Sequence, residues 1–361
     1  SVAVAGVVAS LSLGVALTVM VGSFRHAVDG WLQQLLPADL YLRHGAAGGD
    51  GTPLPPGLAA AAAALTGVQR VQAQRALSLT LDPRRPAVLL LARPLPDPAQ
   101  LPLTGAVLPA PAGTMGVFVS EAMVSLYGAR PGRELLLPLG AQGSHRVFVR
   151  GVWRDYARQH GSLMMDLADY RRLTGDTSIT DLALWLAPGA DLAQVQAALR
   201  RAAGATPLEM ATTAELRAFS LRLFDRSFAV TTYLQAVAIA IGLFGIAASF
   251  SAQVLARRKE FGMLAHLGVS RPQLIALVAG EGAVWTGAGA LLGLALGLAV
   301  SVVLVHVVNP QSFHWTMEMT VPWLRLAALC TAVLAAGTLT AALSGRAAAG
   351  REMALAVKED W

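Results

Sequence analysis

Charge is scarce in this chain, and two residue types are nearly missing. Charged residues make up 14% of the 361, hydrophobic ones 55%, and mean hydropathy is +0.54. An ordinary soluble domain is about one-quarter charged, so this composition is too apolar for one. The single cysteine, Cys330, falls inside an apolar run, which rules out a disulfide or a Cys-based zinc site within the chain. The only lysines are Lys259 and Lys358. No G-x-x-x-x-G-K-[ST] occurs, so there is no phosphate-cradling P-loop and the chain is not itself an ATPase. G-x-S-x-G and H-E-x-x-H are missing as well. Asp155, His160 and Ser162 lie close in sequence, but proximity alone does not make a triad, and they read as polar loop residues. The net charge is +6 and the pI near 10.1. Its arginines are scattered, without the aromatic interleaving a nucleic-acid groove needs. No catalytic, cofactor-binding or metal-ligating residue is expected.

What the chain has in abundance is long uncharged stretches: Ser1–Phe24, Phe228–Ala256, Gly282–Val308 and Leu326–Gly345 contain no Asp, Glu, Lys or Arg. A bilayer core about 30 Å thick needs roughly 20 helical residues, so each run is long enough to span it. The first is not expected to be a signal peptide: it shows no basic start, its apolar stretch is too long, and no cleavage-like site precedes Phe24-Arg25. The chain starts at Ser1 without Met or leader, and a missing cytoplasmic N-terminal part is expected. Arg257-Arg258-Lys259 and Arg271 lie between the second and third runs, and Arg346, Arg351 and Lys358 follow the fourth. Short loops rich in Lys and Arg stay in the cytoplasm. Asn309–Pro322 has neither, and Phe313, Trp315 and Trp323 suit a membrane interface on the other side. Arg25, Arg222, Arg226 and Arg325 count against this orientation, but long domains translocate largely regardless of charge.

The expected architecture is an α-helical membrane protein with four transmembrane helices. An α/β extracytoplasmic domain is inserted between the first and second spans. The expected bounds are 1–24, 228–256, 278–308 and 323–345 for the spans, and 25–225 for the domain with its helical stalks. A cytoplasmic loop at 257–275, an outer loop at 309–322 and a cytoplasmic tail at 346–361 complete the chain. Within the domain, Asp39–Leu42, Val68–Leu81, Ala87–Ala92, Gly116–Val119, His145–Val149 and Leu182–Leu186 look like strands. Ser120 can cap a short helix that Gly128 ends. Asp191 caps another, with Leu192, Val195 and Leu199 on one face. Pro-rich stretches at Thr52–Pro56 and Pro94–Pro102 are loops.

Two stalks are expected. Phe24, Val28, Trp31 and Leu35 continue the first span outward as an apolar stripe until Pro37 stops it, and Gly30 weakens that helix. No Gly or Pro occurs from Leu208 to Ile241, so a helix from Thr213 can run unbroken into the second span, with Leu216, Phe219 and Leu223 as its stripe. Gly289, Gly293 and Gly297 form a small-xxx-small series that marks close helix contact, within the chain or in a dimer. Glu281, His306 and Arg325 all lie near span ends. An ion-coupled carrier would need acidic groups near the midplane, and none is there.

The most informative segment lies between the second and third runs. After its basic start, Phe261, Met263, Leu264 and Leu267 offer more apolar surface than a tether requires. Gly268 can end one turn of helix, and Ser270 with Pro272 can start the next. A short helix with apolar knobs suits a groove on a cytoplasmic partner. Arg257, Arg258, Glu260, Phe261, Gly262, Leu264, Leu267 and Gly268, then Ser270-Arg271 and Gln273-Leu274, resemble the FtsX-like/MacB-type ABC transporter permeases. That family carries R-R-x-E-[IF]-G-x-L-x-A-[LI]-G before a Ser-Arg and a Gln-Leu; His266, between Ala265 and Leu267, departs from it. Glu281 and the small residues from Gly287-Ala288-Gly289 fit too. So, more loosely, do Val117–Glu121, Gly128–Gly132, Asp166 and Tyr170–Gly175. The start, with Gly22–Arg25, Trp31-Leu32 and Ala38–Tyr41, is similar to the second half of duplicated members.

The resemblance implies a permease subunit, or half of one, in the bacterial cytoplasmic (inner) membrane. It implies a separate cytoplasmic ABC ATPase that binds the ATP and Mg, so this chain holds no cofactor. Segment Arg257–Gln273 would couple the two. The outer domain would act by mechanical transmission on a lipid, lipoprotein or peptide, beside a second permease half or in a homodimer. An alternative is a membrane scaffold or regulator whose outer domain activates a partner protein without transport.

Overall fold

The computed structural model describes residues 2–45, 51–139, 143–257, 260, 263–264 and 267–348. Two compact units divide the chain. One contains Ala27–Leu223 with Asn309–Thr316, and the other holds most of the apolar helices.

The first unit is built on one nine-stranded mixed sheet. Its strands are β1 (Leu40–His44), β2 (Val68–Leu79), β3 (Val88–Arg93), β4 (Met115–Ser120), β5 (Glu134–Pro138), β6 (Ser144–Trp153), β7 (Ser162–Asp166), β8 (Asp181–Leu186) and β9 (Leu208–Thr212). They lie in the order β5-β6-β4-β7-β3-β2-β8-β1-β9. The pairs β3–β7 and β4–β6 are parallel and the rest antiparallel. Long β2 joins the two halves, its first part pairing with β8 and its last part with β3.

Alternation along each strand sends side chains to opposite faces and creates three cores. Helices α2 (Leu58–Ala63) and α5 (Leu192–Ala203) cover Leu40, Leu42, Leu182 and Leu184. Helices α3 (Glu121–Tyr127) and α4 (Leu167–Thr174) cover Leu90, Val117 and Val119. The opposite face of that half buries Leu91, Phe118, Trp153 and Met164.

The expected caps hold at two positions and fail at a third. Asp191 accepts from the N–H groups of Ala193 and Gln194, and Gly128 takes the left-handed conformation (φ 64°). Ser120 sits at the N-cap of α3 but does not bond it; its Oγ accepts from the Ser162 N–H at 2.9 Å. At 1% exposure, it satisfies a strand donor from a neighbouring element instead. Asp155 and Ser162 are likewise buried rather than loop-exposed: Ser162 Oγ donates to Asp155 at 2.6 Å, and Arg158 pairs with the same carboxylate at 3.0 Å. His160 is exposed.

Among the described residues, four helices are long and apolar enough to cross a membrane. They lie in α1 (Val2–Leu35), α6 (Thr213–Ala256), α7 (Arg271–Val303) with its continuation, and α9 (Trp323–Ala348). A π-helical turn at Leu304–Val308 leads from α7 into α8 (Asn309–Phe313). Val7, Leu11, Val15, Ile246, Leu274 and Val278 belong to the core of this unit. Outward faces such as Phe244, Leu291 and Leu324 are exposed, as expected where lipid replaces protein as the apolar partner.

The stretch after α7 corrects one expectation. Trp315, expected to face a membrane interface, is buried against protein, edge-on to Tyr156 with centroids 4.8 Å apart, and Phe313 stacks on it at 5.4 Å. Glu121 fixes this stretch by accepting from Thr316 N–H at 2.9 Å and its hydroxyl at 2.6 Å. Trp323 is 64% exposed, compatible with an interface.

Candidate functional site

The segment between α6 and α7 begins with Arg257, whose guanidinium donates to Glu260 at 2.8 Å and to Glu281 at 3.0 Å. Glu281 is therefore a paired group, not an isolated charge at a helix mouth. Leu267 N–H bonds Met263 C=O, and Val269 N–H bonds Leu264 C=O, both at 3.1 Å, around Gly268 at φ 93°. The 6→1 bond with a left-handed glycine is a Schellman-type helix stop, as the glycine leads one to expect. Ser270 then precedes α7: Gln273 Oε1 accepts from its N–H and its hydroxyl, both at 2.9 Å, and Pro272 occupies the first turn after Arg271.

The apolar knobs divide. Leu267 is 78% exposed and Met263 65%, whereas Leu264 packs against the helix core. Among the described residues of the segment, Leu264 turns to the helix core, while Met263 and Leu267 face outward. Arg258, Phe261 and Gly262 lie outside the described residues.

The glycine series resolves to contact within the chain. Gly289, Gly293 and Gly297 are buried, and an added Cβ would lie 3.0 Å from Val7, 3.1 Å from Leu11 and 2.6 Å from Val15, respectively. Each successive glycine meets α1 a turn further on, the close backbone approach that small residues permit. Gln235 of α6 also binds α1, donating to Gly14 C=O at 3.0 Å and Thr18 Oγ1 at 2.9 Å.

The stalk helices pair with each other, on a face of α6 next to its apolar stripe. Asp29 of α1 accepts from Arg217 of α6 at 2.8 Å, Arg25 donates to Asp225 at 3.1 Å, and Phe24 packs against Phe224 and Phe228 at 5.0 and 5.7 Å. The rising numbers on one helix meet falling numbers on the other, so the pair is antiparallel. Phe219 and Leu223, two members of the apolar stripe, are 61% and 58% exposed, while Phe224 is buried. The physical reason is that α1 selects the line Arg217, Phe224, Phe228, roughly one residue around the helix from Leu216, Phe219, Leu223. Leu216 is half-buried. On α1 the expected stripe holds: Val28 and Trp31 are buried, and Trp31 Nε1 donates to Arg154 C=O at 3.0 Å.

Sequence reasoning missed the Asp29–Arg217 pair and gave no role to Arg93, which ends the otherwise apolar strand Val88–Arg93. A lone arginine in such a run was the available signal.

Residues 234–353 match the family described as FtsX-like permease C-terminal. Over 96% of its length the chain is 30% identical to the uncharacterized ABC transporter permease protein Rv0987 of Mycobacterium tuberculosis. It spans 42% of that relative's length. Two solved structures are similar. They are the periplasmic region of MacB from Actinobacillus actinomycetemcomitans (TM-score 0.37, 10% identity, 52% of this chain and 94% of that one) and the extracellular domain of the noncanonic ABC-type transporter YknZ from Gram-positive bacteria (0.33, 12%, 48% and 98%). The chain is thus similar along nearly its whole length to part of an ABC transporter permease, and its residues 234–353 match the FtsX-like permease C-terminal family.

Proposed function

We propose that this chain is the C-terminal half of a permease that couples a separate cytoplasmic ABC ATPase to work on a lipid, lipoprotein or peptide outside the membrane. Segment 257–273 is the coupling element. The observation that carries this reading is the exposure of Met263 and Leu267 on a short turn fixed at both ends, by the Arg257–Glu281 pair and by the Ser270–Gln273 cap. Such a surface is costly to leave in water and suits a groove on a partner. ATP and Mg belong to that partner, and this chain contributes no catalytic residue. Helix α6, continuous from Thr213 to Ala256, is the element through which motion passes. A second permease half, or a second copy, completes the transporter.

The test uses Met263→Asp and Leu267→Asp in the full chain. Both side chains are exposed, so the fold should persist. A carboxylate forced into an apolar groove without a partner costs several kcal/mol, so the ATPase that co-purifies with the parent chain should be lost. Undiminished co-purification and unchanged ATP turnover in both variants would remove the coupling assignment.

A further inference from the structure

The strands that bury Leu40, Leu42, Leu182 and Leu184 under α2 and α5 turn Tyr41, Arg43, Asp181 and Ala183 to the opposite face. A cavity of about 260 Å³ lies on that opposite side, bordered by the end of α1 and the start of α6. Leu35, Leu36, Leu91, Met164 and Leu216 give it largely apolar walls. Among its polar groups, two arginines already have carboxylates. Arg43 pairs with Glu209 at 2.9 Å, and Arg158 with Asp155 at 3.0 Å. Asp181 accepts the Thr180 hydroxyl at 2.5 Å and has Arg43 and Arg158 nearby.

Arg93 is different. Its Nε is shut off from solvent without a hydrogen-bond partner, and no carboxylate among the described residues pairs with it. Burial pulls its pKa downward, opposed by nearby Tyr41. An arginine nevertheless keeps its proton in proteins, so the half-buried guanidinium, its Nε unbonded, would be satisfied by an anion. The guanidinium fork matches carboxylate and phosphate oxygens two at a time. Leu91, two residues earlier on the same face of β3, places an apolar wall beside that fork.

We infer that this cavity binds a single-chain amphiphile with an anionic carboxylate or phosphate head, the head on Arg93 and the chain along Leu35, Leu91 and Met164. The arrangement is that of a small-molecule pocket, mostly apolar with one placed charge. It belongs to the α/β unit and stands whether or not an ATPase drives the chain.

The experiment uses the full chain in nanodiscs of zwitterionic lipid, with binding counted above empty nanodiscs. Probes are radiolabelled dodecanoate and dodecyl phosphate, with dodecanol and inorganic phosphate as competitors. At least one of the two anions should bind saturably. The tighter one tells whether a fatty acid or a phosphorylated lipid fragment is the source. Arg93→Gln should weaken that binding at least about tenfold, as loss of a charge-assisted contact implies. It should not lower the melting temperature of the ligand-free protein, because it removes a half-buried charge whose Nε has no hydrogen-bond partner. If Arg93→Gln does not fold, Arg93→Lys decides, since it keeps the charge, loses the fork and must still weaken binding severalfold. Equal binding by parent and variant, absence of saturable binding, or competition by dodecanol or inorganic phosphate as strong as by the amphiphile would each overturn the inference.

Discussion

Arg257, at the end of α6, donates to Glu281, inside α7, across 3.0 Å, and so closes the base of the segment that carries Met263 and Leu267. The two side chains are 44% and 39% exposed, so the pair contributes at most about 1 kcal/mol to stability. Its importance is geometric. Arg257→Glu should leave the fold intact while reducing ATP turnover in the complex with the co-purifying ATPase. Glu281→Arg should do the same, and the double exchange should recover most of the loss. A double variant no better than either single one would mean that the pair does not set the geometry of the segment.

A second set of charges governs the α/β unit. Asp176 accepts from Arg75 Nε at 3.0 Å, Tyr170 at 2.8 Å and the Ser178 hydroxyl at 2.6 Å. Burial opposes its ionisation, but the hydrogen bonds from Ser178, Tyr170 and Arg75 outweigh it and hold the carboxyl well below the usual aspartate range. A lowered folded-state pKa means stability that is complete above the unfolded value near 3.8 and is lost as pH falls below it. Asp176→Asn should therefore cost about 1–3 kcal/mol at pH 7. The difference from the parent protein should shrink steadily under acid. Thermal melts at pH 7 and below pH 3 check this, and a gap that stays constant with pH would refute the assignment.

How much of this was legible in the sequence depends on how local the cause is. Pro37 beyond the end of α1, Gly128 after α3 and Asp191 before α5 act on their own turns, so residue type and position suffice. Ser120 has the right type for a cap, but Ser162, distant in sequence, claims its oxygen. The stripe of Leu216, Phe219 and Leu223 was apolar and correctly spaced, yet the partner helix decides which face is used, and Phe24 selects Phe224 and Phe228. Strand β7, Ser162–Asp166, is buried at four of its five positions and shows no alternation, so periodicity had nothing to detect. Strands β5 and β9 were missed as well. In the segment after α6, the glycine stop and the serine start were readable, while the inward turn of Leu264 was not, because the core it joins comes from other helices.

The glycine contacts give a sharp prediction for the helical unit. At Gly297 an added Cβ would sit 2.6 Å from Val15 Cβ and 2.8 Å from Ser12 C=O, closer than real contacts allow. Gly297→Val should force α7 from α1 and destabilise the unit by about 1–3 kcal/mol. Gly280, on the same helix, has nothing within 4 Å of the added atom. Gly280→Ala should therefore be neutral or stabilising, since alanine is the better helix former by about 1 kcal/mol. Melting in detergent measures both. If the two variants melt alike, the α1–α7 contact is looser than the geometry says.

The last prediction concerns force along α6. This helix has no break from Thr213 to Ala256, and its partner α1 is tied to it by Asp29–Arg217, Arg25–Asp225 and the Phe24–Phe224–Phe228 cluster. Arg222 and Leu223 stand between those ties and are exposed, so replacing both with glycine removes no buried contact. The change lowers helix propensity by about 1 kcal/mol per glycine. A protein with a typical stability of about 5–15 kcal/mol should survive it. The variant should then keep its ATPase partner and any amphiphile held at Arg93, yet lose biological output, because a softened rod no longer carries displacement from one end to the other. Arg200-Arg201→Gly-Gly, on α5, makes the same chemical change away from the rod and should retain output. If the α6 variant works as well as this control, motion travels by another route, and α6 is only a connector.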